Sequence, residues 1–273
     1  MDVLTLVHGR ADHLTNLITG LERSLILPEH LVIVQMNQAV HPWHSDSFPI
    51  INVSVQTTDD ALPLARARNL AVASSVAAQL VFLDVDCIPS RSLLSSYQEG
   101  LAQNANSLLQ GRVQYLPATD LRDWDEAHLD RIGQIHPVFV DRAAGFVLPH
   151  ELFWSLNFAC SRVTFTSIEG FDEAYIGYGG EDTDFSFRAQ AKGIDIRLVD
   201  AKAFHQHHTS HNPPINHLAA IVRNAQTFRD RWGMWPMQGW LDAFEAAGFI
   251  SIKANLITIV KMPTAVEIGS TRQ

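Results

Sequence analysis

Two carboxylates separated by one valine, Asp84-Val85-Asp86, follow directly on the apolar run Leu80-Val81-Phe82-Leu83. Ending a buried strand in two acids is costly unless something there needs them. Paired carboxylates offer hard oxygen ligands for Mn²⁺ or Mg²⁺, and a cation so held commonly binds phosphates. Taken alone, the pair reads first as a strand-end turn with a capping Asp. Two further clusters shift that reading. Gly177-Tyr178-Gly179-Gly180 opens a predicted helix whose first turn carries Glu181, Asp182 and Asp184. The glycines allow a sharp turn and close approach to a ligand. Acids at a helix start are ordinary, because the helix dipole favours them. A carboxylate held rigidly there could also take the proton of an attacking hydroxyl. The third cluster is Phe204-His205-Gln206-His207-His208, with His211 and His217 beyond. Imidazole ligates Mn²⁺ or Zn²⁺ well, and His205 and His207 would share a face of an extended chain.

These clusters need a scaffold that gathers them. Short apolar runs at 3–7, 31–36, 80–83, 108–115, 156–160 and 196–199 predict strands, with an alternating edge strand at 51–55. Between them, helical spacing predicts a helix through Leu14, Leu17, Ile18 and Leu21 with Asp12 as its cap, one over 64–78, and one over 89–101 capped by Ser90. The order strand, helix, strand, strand, helix, strand is that of a mononucleotide-binding α/β half with a parallel sheet. In such sheets ligands bind at the carboxyl ends of the strands, where Asp84 and Asp86 fall. Within 117–150, Asp120, Asp123, Asp125, Glu126 and Asp130 lie among Trp124, His128 and Ile132 and suggest an acidic amphipathic helix with a solvated charged face. Composition shifts at Pro213-Pro214; helices are predicted over 215–232 and 241–247, and the polar tail from 262 is expected to be disordered.

Composition narrows the partners. The 273 residues carry a formal net charge of -9 and no basic tract, which argues against nucleic acid. No apolar run is long enough for a membrane span and no signal peptide is evident, so a cytoplasmic enzyme is expected. Cys87 and Cys160 stand in apolar contexts and read as buried free thiols.

The ordered set Asp84-Val85-Asp86, Asn157, Phe171-Asp172-Glu173, Gly179-Gly180-Glu181-Asp182-Thr183-Asp184 and His205 resembles the GT-A glycosyltransferases. It is similar to family-2 enzymes and to the C-terminal motif of the β-1,4-galactosyltransferase group. Ala65-Arg66-Ala67-Arg68-Asn69-Leu70-Ala71 resembles the helix start that precedes their Asp-x-Asp strand. The resemblance implies an α/β GT-A domain over residues 1–212, with a helical, aromatic-rich extension over 213–273 packed on it. It implies an inverting transfer of sugar from a nucleotide-sugar, expected to be a UDP-sugar, to a carbohydrate or other hydroxyl acceptor, with Mn²⁺ or Mg²⁺. By position, Asp86 would ligate the metal. Asp84 would face the ribose and metal-bound water, as a second candidate ligand. His205 would be the histidine ligand, with His207 its substitute two residues on. Asp182 would be the general base and Glu181 its catalytic neighbour, binding sugar hydroxyls. Asn157 and Gly180 would join them on the acceptor. His8, Arg10, Asn37 and Arg66 would hold the donor nucleotide.

Two rival readings stand beside this one. A sugar-phosphate nucleotidyltransferase would want a Gly-rich basic loop near the N-terminus, where only Gly9-Arg10 is present. A non-catalytic nucleotide-sugar-binding module would leave the acids and histidines as solvated surface. In the extension, Trp232, Trp235, Trp240, Phe244 and Phe249 could line an acceptor groove, form core, or make a homo-oligomer contact.

Overall fold

The computed structural model describes residues 1–57 and 61–273. In chain order the elements are β1 (Asp2–Val7), α1 (Ala11–Glu22), β2 (Leu31–Met36), β3 (Ile50–Val55), α2 (Leu64–Ala73), β4 (Gln79–Leu83), β5 (Cys87–Pro89), α3 (Leu93–Gln103) and β6 (Leu108–Tyr115). There follow α4 (Glu126–Ile132), β7 (Gln134–Ile135), β8 (Val147–Leu148), β9 (Asn157–Ser161), α5 (Arg162–Ile168), α6 (Glu181–Ala191) and β10 (Ile196–His205). The chain closes with α7 (Leu218–Trp232), α8 (Gln238–Ala246), β11 (Ile250–Lys253), β12 (Leu256–Ile259) and α9 (Ala265–Ser270).

The main sheet runs β3-β2-β1-β4-β9-β6-β10-β5, with β7 on β6 and β8 on β10. Strands β3, β2, β1 and β4 are mutually parallel. Strand β9 is antiparallel to both β4 and β6, so β6 and its parallel neighbour β10 point the same way as β4. Both faces are covered, as the unbroken burial of β1 and β2 requires. Val3, Leu31, Ile33, Val81 and Leu83 pack against α1 and α3. Their alternates, Leu4, Val32, Leu80 and Phe82, pack against α2, α5 and α6. On that second face Phe82 stacks on Phe158 and Phe171 on Phe185, each at 4.3 Å between ring centres. Phe185 belongs to α6, so this aromatic core fixes where the acidic first turn of α6 stands.

The register sets the site. Leu83, the last residue of β4, lies opposite Asn157, the first of β9. His205, the last of β10, lies opposite both Tyr115 and Cys87. The residues after β1, β4 and β10 therefore share one edge of the sheet.

Several elements differ from the sequence expectation. Helix α2 stops at Ala73 rather than 78: the Ser75 hydroxyl is drawn to buried Asp2 at 2.6 Å and accepts from the Ala77 N–H, competing with helical bonding. Pro89 is in β5, not a helix, and α3 starts at Leu93 after Ser92 rather than being capped by Ser90. Within 117–150 only Glu126–Ile132 is α-helical, with Asp125 as cap accepting from the His128 N–H at 2.6 Å. Strand β10 does not stop at 199 but continues to His205 through a register shift between Val199 and Ala203. That bulge interrupts the alternation that marks a strand. The tail is ordered: α9 carries a capping box between Thr264 and Glu267, and Arg272 bridges to His211.

The extension has an apolar core of its own, drawn from Leu218, Ile221, Ala225, Leu241, Phe244, Phe249 and Ile257 among others. Strands β11 and β12 form a hairpin within it. Its join to the sheet domain is part aromatic, Phe228 and Trp232 packing with Tyr175 and Phe187, and part polar. Asn224 on α7 donates to the carbonyls of Ile176, Tyr178 and Gly179.

Candidate active site

At the end of β4 the chain turns sharply: the Cys87 N–H bonds the Asp84 carbonyl at 2.8 Å, and the Asp84 N–H bonds Leu156 at 2.9 Å. Val85 is buried, and the two carboxylates reach different partners.

Asp86 is buried among basic groups. Arg10 pairs with its Oδ2, His13 Nδ1 stands 2.6 Å from Oδ1, and His208 Nε2 is 3.6 Å from Oδ2. The Gln206 N–H bonds the Asp86 carbonyl at 2.7 Å, tying the end of β10 to this turn. As a result one ligand atom each from Asp86, His205 and His208 lies within 4.8 Å of the others. Burial, then the neighbouring charges of His208, Arg10 and His13, pushes the His205 imidazolium down to about 3. Burial likewise lowers His13 and His208. Neutral imidazole is the form that ligates a cation, so this donor set of one carboxylate and two neutral imidazoles fits Mn²⁺.

Asp84 turns to the other side. Arg68 Nη2 is 3.9 Å from its Oδ1, while Nη1 of the same guanidinium bonds Glu181 Oε1 at 3.0 Å. Arg68 is nearly fully buried and lies over the Phe171 ring at 5.0 Å. Burial alone would depress it, but Glu181, Asp84 and Asp182 together raise it and keep it charged. The two acidic clusters of the sequence thus meet across one arginine. Desolvation raises the Asp84 carboxyl; Arg68 opposes that, and Glu181 adds to it.

The first turn of α6 splits its acids three ways. Gly179 and Gly180, at φ +94° and +92°, take left-handed conformations that other residues resist, and they aim the turn. Glu181 is buried; its Oε2 has no hydrogen-bond partner among the described residues. Asp182 is partly exposed and its carboxyl is pushed up to about 7. Desolvation leads, and the Glu181 charge adds, against Arg68 and the N–H groups of Thr183 and Ser155. Asp184 is wholly buried and saturated: Arg188, Arg231, Trp232 Nε1 and the Tyr175 hydroxyl all donate to it within 3.2 Å.

The expected residues divide clearly. Asp84, Asp86, His205, Glu181, Asp182 and Arg10 converge. Gly180 stands at the N-cap of α6, behind Glu181. His8 and Asn37 directly follow the ends of β1 and β2. The His8 ring bonds the Met36 carbonyl at 2.8 Å, and Asn37 exchanges hydrogen bonds with Thr57. His207 is exposed: the extended alternation ends with β10 at His205, so His208, not His207, returns to Asp86. Arg66 is also exposed, and Arg68 on the opposite face of α2 meets the acids. Asn157 lies inside the sheet at 0% exposure, accepting from Tyr97 and donating to the Ala201 and Arg112 carbonyls. Its amide supports the sheet where an acceptor contact was expected. Asp84 sits outside the cluster of ligand atoms and beside Arg68.

Sequence reasoning assigned no role to His13, Arg68 or Tyr178, and it marked His208 only as one of the histidine cluster, behind His205 and His207. Arg68 carried a signal: it shares the apolar stripe of Ala65, Ala71 and Val72, where an unpaired charge cannot stay. Tyr178 stacks on His217 at 4.7 Å and Trp240 at 5.8 Å. Burial and the charges of Asp182, Glu181 and Asp84 push its phenol up to about 12, as expected beside that acid group. His13 had no local signal, because only the fold brings α1 to Asp86. Of the arm's aromatics, Phe244 and Phe249 are core, Trp232 serves Asp184, and Trp240 reaches Tyr178.

The fold is that of the GT-A glycosyltransferases. Residues 136–212, from the loop before β8 through the acidic turn to the histidines, match the family model described as the N-terminal domain of galactosyltransferase. The chain superposes on S. aureus TarS residues 1–349 with a TM-score of 0.58 at 12% identity, covering 84% of this chain and 65% of that one. It superposes on GalNAc-T7, crystallised with UDP, GalNAc and Mn²⁺, with a TM-score of 0.56 at 11% identity, covering 90% of this chain and 57% of that one. In sequence, 51 residues are 40% identical to validoxylamine A glucosyltransferase of Streptomyces hygroscopicus subsp. jinggangensis (strain 5008). That match spans 19% of this chain and 12% of the curated relative. Among the described residues no helix is long and apolar enough to cross a membrane.

Proposed function

We propose that this protein is a metal-dependent, inverting glycosyltransferase that moves a sugar from a nucleotide-sugar, favoured as a UDP-sugar, to a hydroxyl acceptor. The observation that carries this reading is the convergence at one sheet edge of Asp86, His205 and His208, joined through Asp84 and Arg68 to Glu181 and its neighbour Asp182. Asp86, His205 and His208 would hold Mn²⁺ or Mg²⁺. Bound there, the cation would neutralise charge developing on the diphosphate leaving group. Two similar structures point to the donor: one is TarS in complex with UDP-GlcNAc, the other GalNAc-T7 with UDP and Mn²⁺.

The chain's own residues would do the rest. Arg10, His8 and Asn37 line the nucleotide side at the ends of β1 and β2. Asp84, held off the histidines by Arg68, accepts from ribose hydroxyls. Glu181 Oε2, buried and without a hydrogen-bond partner among the described residues, accepts from a sugar hydroxyl. Asp182 takes the acceptor's proton, and its carboxyl near 7 suits a base working at neutral pH. A base remote from the diphosphate favours attack on the face opposite the leaving group, hence inversion at the anomeric carbon.

Calorimetric titration of UDP- and GDP-sugars with and without Mn²⁺, followed by assay of nucleotide release, tests the reading. Mn²⁺-dependent binding of a donor with turnover, both lost in Asp86→Asn, is expected. Binding without turnover would assign a non-catalytic module, and metal-independent turnover would remove the cation from the mechanism.

A further inference from the structure

Both carboxylate oxygens of Asp86 are already occupied by the chain's own basic groups. His13 on α1 stands at Oδ1, and the Arg10 guanidinium pairs with Oδ2. Oδ2 is also the oxygen that faces His208 Nε2, 3.6 Å away. A divalent cation shared by Asp86 and His208 therefore needs the oxygen that Arg10 holds. Two positive charges do not share one carboxylate oxygen in a half-buried site without strong repulsion. We propose that Arg10 is a cation gate: it pairs with the Asp86 oxygen until a nucleoside diphosphate arrives, and then yields it. This rests on the reading of Asp86, His205 and His208 as a cation site.

The two basic groups differ in how firmly they are placed. His13 sits within α1, and its backbone carbonyl accepts from Gln206 at 3.1 Å, so its ring stays at Oδ1. Arg10 lies in the turn between β1 and α1 with its side chain 40% exposed. Its φ of 51° is a left-handed conformation that a non-glycine residue adopts only at a cost. Strain of this kind persists where the side chain's direction matters. Here it aims the guanidinium at Asp86.

A nucleoside diphosphate offers two negatively charged phosphates, to which a guanidinium binds bidentately. Drawing Arg10 onto them would free Oδ2 when a cation is also wanted. Diphosphate and cation would then raise each other's affinity beyond what their direct contact gives, and linkage makes the effect reciprocal. The gate would also disfavour cation binding without donor.

The test is Mn²⁺ binding by wild type, Arg10→Gln and Arg10→Ala, with and without saturating UDP. It is followed by calorimetry and by loss of the free Mn²⁺ electron paramagnetic resonance signal. Arg10 is exposed, so both variants should fold, and circular dichroism checks that. Without UDP the variants should bind Mn²⁺ roughly five- to tenfold more tightly than wild type. With UDP the gain should vanish or reverse. An equal gain in both conditions would mean that only a positive charge had been removed, and no gain without UDP would mean that Arg10 never blocks the oxygen; either overturns the gate. A wild type that takes up no Mn²⁺ in either condition overturns the cation site itself.

Discussion

At the scale of single residues, the three acids at the start of α6 show how one short motif is divided by its surroundings. Asp182 has its carboxyl raised to about 7, first by desolvation and then by Glu181. Two consequences follow with opposite signs. For catalysis a base must be ionised, so transfer should rise with pH through about 7 and level above it. For stability, a carboxyl whose folded value lies above the unfolded value of about 3.9 binds more protons when folded. Between those values stability falls as pH rises. Asp182→Asn removes that burden. It should bind donor normally and lose roughly 100-fold or more in transfer. At pH 8 it should melt above wild type, with the difference fading towards pH 4. Unchanged turnover would remove Asp182 as the base. A lower melting point at pH 8 would show that its charge is compensated in the fold.

Asp184, two residues on, is a different object. It is wholly buried and receives two arginines, an indole and a phenol. An amide at this position would turn N–H groups towards other donors and leave Arg188 and Arg231 without their shared charge. Asp184→Asn should cost roughly 3–5 kcal/mol, since removing one partner strands the other charges. Urea unfolding measures it. A loss within about 0.5 kcal/mol, as for ordinary surface changes, would mean the cluster is not a stabilising one.

At the scale of elements, what could be read from the sequence was what local pattern encodes. The apolar runs of β1, β2 and β4 are strands because they are buried on both faces, and continuous burial leaves a continuous apolar run. The glycines before Glu181 announced the turn into α6. Elements whose pattern is interrupted stayed hidden. Strand β10 is broken by its bulge at 199–203, and β5 is three residues long with a proline at its end. The acids from Asp120 to Asp130 suggested a helix starting earlier than Glu126–Ile132 because solvated charge does not mark where a helix starts. The tail looked polar and unstructured, yet Thr264 and Glu267 satisfy each other's backbone groups at the start of α9. The site divides in the same way. Asp84, Asp86, Glu181, Asp182 and His205 announced themselves by residue type and spacing. Arg68, His13 and His208 depended on which face of a helix, or which turn after a strand, met the acids in space.

At the scale of the whole molecule, the segment after residue 212 has its own apolar core, which suggests an annex. The contacts it makes argue that it is built into the site. Arg231 and Trp232 of α7 supply two of the donors that Asp184 receives, and Arg231 also pairs with Asp172. Phe228 and Trp232 close an aromatic cluster with Tyr175 and Phe187. Asn224 holds the carbonyls of Ile176, Tyr178 and Gly179, the loop that leads into Glu181 and Asp182. Cutting at 212 would leave a buried carboxylate with half its donors, an opened aromatic cluster and a loosened glycine turn. Residues 1–212 alone should therefore fail to unfold cooperatively, or unfold far below the full chain. If the fragment is soluble, it should lose transfer before it loses donor binding. The nucleotide side rests on β1, β2 and β4, which α7 does not touch through these bonds, whereas Asp182 depends on the turn that Asn224 pins. A fragment that melts with the full chain and transfers sugar at its rate would make the extension an independent unit, and the acidic turn self-supporting.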